Sequence, residues 1–339
     1  MAARGGATAA EKRAEVRMGK GRWVVVSAGL VCLSGVLYSA GVASAATLTD
    51  FNVVVTGTLN TRSHVDGRTF TNNLQVTNSP VFAMHASAGN GDTLTIAGNV
   101  TGNAMHVNRG VVRTRLPLPS GFQLNNATAV VDPSVSIASL AGQISSASSY
   151  YRSLTGTEAG FAAGTISVVE NKRLVFTAGS AAAGKTAVFQ LNASQLARNN
   201  LEFSFNLGNA TAAIINVIGG ATLNPSPGNF LGNWQTLAPR LMWNFADATT
   251  LNLRSTWVGS ILGPNLTLNS NNQNVEGGVY VMNFNQTGEV HNHLFRGPLP
   301  PADPSPGPNV IPVPSAFAAG LALLSLPMLR RLRRGSGLL

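Results

Sequence analysis

The chain has 339 residues, 44% hydrophobic and only 11% charged, with 23 Lys+Arg against 13 Asp+Glu and a single Cys. This composition excludes a disordered polyelectrolyte, a disulfide framework and a Cys-based zinc site, and the length suits one large domain or two ordinary ones. The formal charge of +10 sits at the ends: residues 1–45 hold six basic and two acidic groups and residues 310–339 hold four Arg, leaving 13 scattered basic against 11 acidic residues between them, so nucleic acid is not expected as a partner.

Arg4, Lys12, Arg13, Arg17, Lys20 and Arg22 precede an apolar run from Trp23 to Val42 that ends at Ala43-Ser44-Ala45. Small residues at that spacing suit signal peptidase, so residues 1–45 are expected to be a secretory signal and Ala46 the new N-terminus. The alternative is an uncleaved anchor, since the run approaches spanning length. The polar stretch from Thr47 to Asp50 argues for cleavage. Cys32 lies inside the run without the small residues of a lipoprotein signal, so the mature chain contains no cysteine and is compatible with an oxidising compartment.

From residue 46 to residue 300 short apolar runs alternate with Asn/Gly punctuation. Phe51, Val53, Val55, Gly57 and Leu59 are expected on one face of a strand, with Asn52, Thr56, Thr58 and Asn60 on the other. The same period recurs at Leu94, Ile96, Gly98 and Val100, and at Leu201, Phe203, Phe205 and Leu207 with Glu202, Ser204 and Asn206 outward. Between these, Asp132-Pro133 reads as an N-cap with Pro at the first helical position. Ile137, Leu140, Ile144, Ala147, Tyr151 and Leu154 then follow at steps of three and four, which predicts one amphipathic helix over about 132–155 packed by its apolar stripe.

Further strands are expected at 213–218, 241–245, 250–253, 257–262, 266–269 and 275–282. This density predicts a mostly β fold. Asn and Thr within and beside the strands favour a right-handed parallel β-solenoid whose stacked turns pair side-chain amides in ladders, with a β-sandwich as the alternative. No strict repeat period is visible, so the turns of a solenoid would be irregular.

The blocks Leu241-Met-Trp-Asn-Phe-Ala-Asp-Ala-Thr-Thr-Leu, Trp257-Val-Gly-Ser-Ile-Leu-Gly-Pro-Asn-Leu, Val275-Glu-Gly-Gly-Val-Tyr and Gly288-Glu-Val-His-Asn-His-Leu-Phe-Arg-Gly-Pro-Leu-Pro resemble the choice-of-anchor A domain in order and spacing. Phe51-Asn-Val-Val-Val-Thr-Gly-Thr-Leu and His64-Val-Asp-Gly-Arg resemble its opening, with Gly263 standing where the family usually has Ala. The resemblance implies an adhesin-like, extracytoplasmic β-rich domain and carries no particular ligand.

Residues 301–311 form a Pro-rich linker. Residues 312–339 hold Pro312, Val313, Pro314 and Ser315, a short apolar stretch, and the cluster Arg330, Arg331, Arg333, Arg334. That tripartite arrangement resembles a PEP-CTERM sorting signal in its Val-Pro-x-Pro-Ala variant. It implies processing by an exosortase-type enzyme, with the membrane a partner of the C-terminal segment before processing; a plain transmembrane anchor is the alternative.

Candidate chemistry is sparse. Glu289, His291 and His293 are two apart, so on a strand they share a face within reach of one metal ion, and His64, His85 or His106 could complete a site. A polar strand face closing the domain is the preferred reading. Gly89-Asn-Gly-Asp-Thr-Leu resembles one calcium-binding turn with Asp92 as ligand, but no second copy exists to stack on it, so a plain turn is expected. No Ser elbow, phosphate loop or Cys nucleophile is present, and no acid pair declares a role; Glu276 before Gly277-Gly278 is equally well explained by a bulge. Thr56/Thr58 and Thr93/Thr95 are too few to template ice.

The sequence therefore predicts an exported surface or matrix protein that is not an enzyme and needs no cofactor. Its expected partners are signal peptidase, the sorting enzyme, and an extracellular glycan or matrix protein. A polysaccharide-active enzyme on a β-solenoid and a purely structural matrix component are the alternatives.

Overall fold

A computed structural model describes residues 48–86, 91–102, 104–198, 200–225 and 228–300. The expected leader with Ala43, Ala45 and Ala46, the linker, and the sorting segment with Pro312, Val313, Pro314, Ser315 and the arginine cluster lie outside the described residues. Among the described residues no helix is long and apolar enough to cross a membrane.

The fold is mostly β: one large mixed sheet, two small sheets, and two α-helices, of which α1 is the longer. The chain enters the large sheet in its middle. Strand β1 (Val53–Thr61) is followed outward by β2 (Thr69–Val76), β3 (Asp92–Ile96), β4 (Arg109–Thr114) and β5 (Asn126–Val131), each parallel to the one before. Helix α1 (Ala138–Ser153) then leads to β6 (Phe161–Val169). The chain returns through β8 (Thr186–Asn192), β10 (Ala212–Ile218), β11 (Leu241–Asn244), β12 (Ser260–Asn269) and β13 (Val279–Gln286), again parallel, until β13 pairs with the free side of β1. Strands β7 (Arg173–Ala178) and β9 (Leu201–Asn206) pair in parallel, and β7 also runs antiparallel to β6, which makes the sheet mixed.

Burial explains why the expected alternation holds in one part of the strands and fails in another. Val53 and Val55 enter one buried cluster and Val54 enters a second, on the opposite face. Ile215 and Ile214, Trp243 and Met242, Ile261 and Leu262, and Val279 and Tyr280 divide in the same way. The second cluster lies under α1, whose Leu140, Ile144, Ala147 and Tyr151 are buried there. Strand segments covered on both faces read as continuous apolar runs, as in any sheet buried on two sides. Further along, after register shifts between Val55 and Thr58 and between Gly263 and Thr267, the helix no longer covers the sheet and one wet face returns.

The apolar stripe from Ile137 to Leu154 packs as its spacing implies, but the helix start is corrected. Residue Ile137 occupies the N-cap position without a side-chain hydrogen bond. Asp132 instead accepts from the Ser134 backbone at 3.0 Å and hydroxyl at 2.6 Å, and pairs with Arg113 at 3.3 Å, so the Asp-Pro turn precedes the helix rather than capping it. Two more expectations change. Phe51 shares the helix-side cluster with Val54, not the cluster of Val53, and Asn52 is buried.

Helix α1 is also joined to the sheet by polar bonds. The Asn244 amide donates to the Asn216 side chain at 2.8 Å and to the Ser148 carbonyl at 2.9 Å, while the Ser148 hydroxyl donates to Asn244 at 2.7 Å. Asn216 in turn donates to the Tyr151 carbonyl at 2.6 Å. All of these side chains are buried and each is partnered, which fixes the helix in register on β10 and β11.

Candidate functional site

Where α1 leaves the sheet uncovered, the outward residues fall into two rows. One row runs Thr222, Thr250, Thr267, Asn283, Thr58, Asn73 and Asn99. The other, two residues further along each strand, runs Asn224, Asn252, Asn269, Asn285, Asn60, Gln75 and Thr101. Between them Leu223, Leu251, Leu268, Phe284, Leu59 and Leu74 point into the first buried cluster. No member of either row is buried and none is charged. Neighbouring strands stand about 4.8 Å apart and alternate residues about 7 Å apart, so the face is a grid seven strands and about 29 Å wide.

The second row is tied side chain to side chain. Asn252 donates to Asn224, Asn269 to Asn252 and Asn285 to Asn269, each at 2.7 Å, and Asn60 reaches Asn285 at 3.5 Å. An amide in such a ladder uses one N–H and one lone pair on its neighbours and keeps the others outward. The face therefore offers ordered donors and acceptors with no ionisable group, a chemistry suited to recognising hydroxyl-rich neutral matter.

The expected ladder of amides is present, but the sequence reading did not locate this grid. The signal was available: Thr-Leu-Asn occurs at 58–60, 222–224, 250–252 and 267–269. The Thr pairs singled out earlier mislead, because Thr93 and Thr95 are buried and only Thr58 belongs to the grid.

The residues singled out for a metal converge on a different centre. Residues Val290–His291 pair with Val275–Glu276, placing His291 beside Glu276. His291 Nδ1 lies 2.8 Å from both Glu276 carboxylate oxygens, and its Nε2 lies 3.0 Å from Glu289. His293 stands further off, 3.6 Å from Glu276. The hydrogen bond to Glu276, assisted by that to Glu289 and by the charges of Glu276 and Asp66, raises the His291 pKa to about 9 against the opposing effect of burial. The ring thus donates from both nitrogens and bridges two carboxylates. Glu276 is 4% exposed, so its role is to hold this ring as well as to precede Gly277.

Gly277 has its own reason to be glycine: a Cβ there would stand 2.5 Å from the Gly259 carbonyl carbon. Among the described residues no group of three or more His, Cys, Asp or Glu is arranged to hold a metal ion. His85 pairs with Asp66 at 2.9 Å, the His64 Nδ1 is buried with no partner among the described residues, and His106 lies in the short strand His106–Val107. Asp92 opens β3 and pairs with Arg113 at 2.8 Å. Residues 89 and 90 of the turn that resembles a calcium-binding one lie outside the described residues.

A mostly parallel β body that presents an uncharged polar grid is the build of an adhesin-like domain. A family model described as "Putative Ice-binding-like adhesive domain" matches residues 44–292, and the chain belongs to that family. Nothing matched among curated proteins or among solved structures.

Proposed function

We propose that the protein is an exported, non-enzymatic adhesin of the cell surface or extracellular matrix, and that its Thr/Asn grid contacts neutral polysaccharide. The single observation that carries this reading is the grid itself: two rows on seven strands, regular in spacing, open to solvent and free of charge. A surface of that kind gains little from any one hydrogen bond, roughly 1 kcal/mol, and its strength comes from many registered contacts with a repeating partner. A matrix protein is the alternative ligand. The parallel strand order, with one cluster on each side of the sheet, supports a β-solenoid body over a sandwich.

Export by signal peptidase at Ala45–Ala46 and sorting of residues 312–339 by an exosortase-type enzyme belong to the same proposal, resting on the sequence pattern and on the likeness to choice-of-anchor A and PEP-CTERM proteins. The test is a glycan and matrix-protein array probed with the purified protein, with and without chelator. Retention on neutral glycans regardless of chelator supports the reading. Retention that chelator abolishes would move the site to the His291 cluster.

A second reading follows from the family's description together with the same grid: ordered water on a flat, repeating face could join an ice lattice. Thermal hysteresis by the purified protein, lost on charging the grid, would favour ice over glycan.

A further inference from the structure

The large sheet ends at β5, which pairs with β4 on one side and with no strand on the other among the described residues. Residues 104–198 are described without a break, so β5, β4 and the turns at both ends belong to one continuous stretch. Strand β5 is exposed over most of its length, with Val130 37% and Val131 51% exposed. An uncovered edge is a template for another strand, and β5 carries none of the charges, prolines or bulges that ordinarily blunt one. We propose that β5 is a dimerisation edge, pairing antiparallel with β5 of a second copy about a two-fold axis through Ala129.

The backbone fixes the register. The Asp132 N–H donates to the Thr114 carbonyl at 2.8 Å, and that of Arg115 turns the other way, to the Ile96 carbonyl of β3 at 2.9 Å. Backbone groups alternate along a strand, so those of Thr128 and Val130 face β4 while those of Ala127, Ala129 and Val131 face outward. The Ala127 N–H is taken by the Leu124 carbonyl. The N–H and C=O of Ala129 and Val131 and the C=O of Ala127 have no partner among the described residues. Antiparallel self-pairing through Ala129 uses most of them: the two Ala129 residues exchange both bonds, and each Val131 N–H donates to the Ala127 carbonyl across the axis.

Side chains select a second copy as the occupant. In this register Val131 stands opposite Ala127 and Val130 opposite Thr128, so the bulky half of each strand meets the small half of the other. No charge faces a like charge: β5 is uncharged, and Asp132 beyond it, already paired with Arg113, stands opposite Asn126. Leu118, Phe122 and Leu124, in the stretch of chain that leads into β5 at the same end of the body, are only partly buried against the first cluster. An extended peptide would pair with β5 and leave them as they are, whereas the same end of a second copy covers strand and apolar residues together. A strand pair of this length is small against a standard interface, so a dissociation constant on the order of 0.1 mM is expected. The axis stands perpendicular to the sheet and turns both Thr/Asn grids to the same side, where two linked surfaces hold a polymer more strongly than one.

The test is sedimentation equilibrium of the purified protein from about 10 μM to about 1 mM, where the wild type should form a reversible dimer. Val131→Lys places a cation against apolar surface at the edge, and Ala129→Pro removes the outward N–H at the axis without touching the ladder to β4. Each should weaken the dimer at least about tenfold. A Thr165→Lys control, exposed on β6, should dimerise as the wild type does. In a Cys32→Ser background, oxidised Ala129→Cys should give a disulfide-linked dimer, because facing Cα atoms in a hydrogen-bonded pair are about 5.5 Å apart. Val131→Cys should not, since its two copies stand four residues out of register. A monomer throughout this range, association that neither edge variant weakens, open-ended assembly beyond the dimer, or cross-linking of Val131→Cys in preference to Ala129→Cys would each overturn the proposal.

Discussion

Replacing His291 with Gln removes the cation that bridges Glu276 and Glu289. The folded-state pKa of His291, about 9, exceeds its reference value of 6.5. A group raised on folding contributes stability that is fully present below the unfolded pKa and is lost as pH rises through the folded one, so the window here runs from about pH 6.5 to about pH 9. The full difference between the two values corresponds to about 3 kcal/mol, and with 27% of the His291 side chain exposed to screening solvent an effect of about 2 kcal/mol is expected. Urea unfolding at about pH 6 and about pH 10 measures it, with the wild type losing about 2 kcal/mol more than His291→Gln across that interval. Equal losses in the two proteins would refute the reasoning, since the bridge would then not depend on the imidazolium.

Other perturbations address the helix and the close approach of strands. Asn244→Ala leaves Asn216 and the Ser148 hydroxyl without their buried partner and should cost about 2–3 kcal/mol by urea titration; a cost below about 1 kcal/mol would contradict the network. Ile144→Ala, in the cluster beneath α1, should cost about 2–4 kcal/mol in the same assay, and a neutral result would show that the helix does not pack by this stripe. Gly277→Ala forces a methyl against the Gly259 backbone and should lower the melting temperature more than Gly91→Ala, which has open space; the reverse order would refute the close approach.

Much of this architecture can be read from residues, and what cannot has a physical cause. The strand at 201–206 shows its alternation directly over its first four residues, with Leu201 and Phe203 buried and Glu202 and Ser204 half-buried. Val53 and Val55 share a face with Leu59 as alternation predicts, but the burial of Val54 on the other face is not legible, since a helix some 85 residues later in the chain covers the face that alternation would leave wet. The stripe of α1 was plain from spacing, whereas its start was not: Asp132 satisfies a cap pattern locally but spends its carboxylate on Ser134 and Arg113.

The candidate sites divide likewise. Glu289, His291 and His293 stood out by type and spacing, yet the group that decides their chemistry, Glu276, comes from a neighbouring strand and only the pairing of 275–276 with 290–291 brings it there. The grid was harder to see for the opposite reason. Its members are common strand residues, its copies of Thr-Leu-Asn are unevenly spaced, and the copy at 58–60 sits between strands from opposite ends of the chain. Only the strand order makes neighbours of them.

The most direct test places charge on the grid. In a pull-down on insoluble neutral polysaccharide, the double variant Asn269→Lys/Asn285→Lys should bind at least about tenfold more weakly than wild type, because two buried-on-contact cations lack partners in an uncharged ligand. A control with Thr165→Lys/Ser167→Lys, exposed on β6 outside the grid, should bind as wild type does. Equal retention of the grid variant and the control would contradict the assignment of the Thr/Asn face as the adhesive surface.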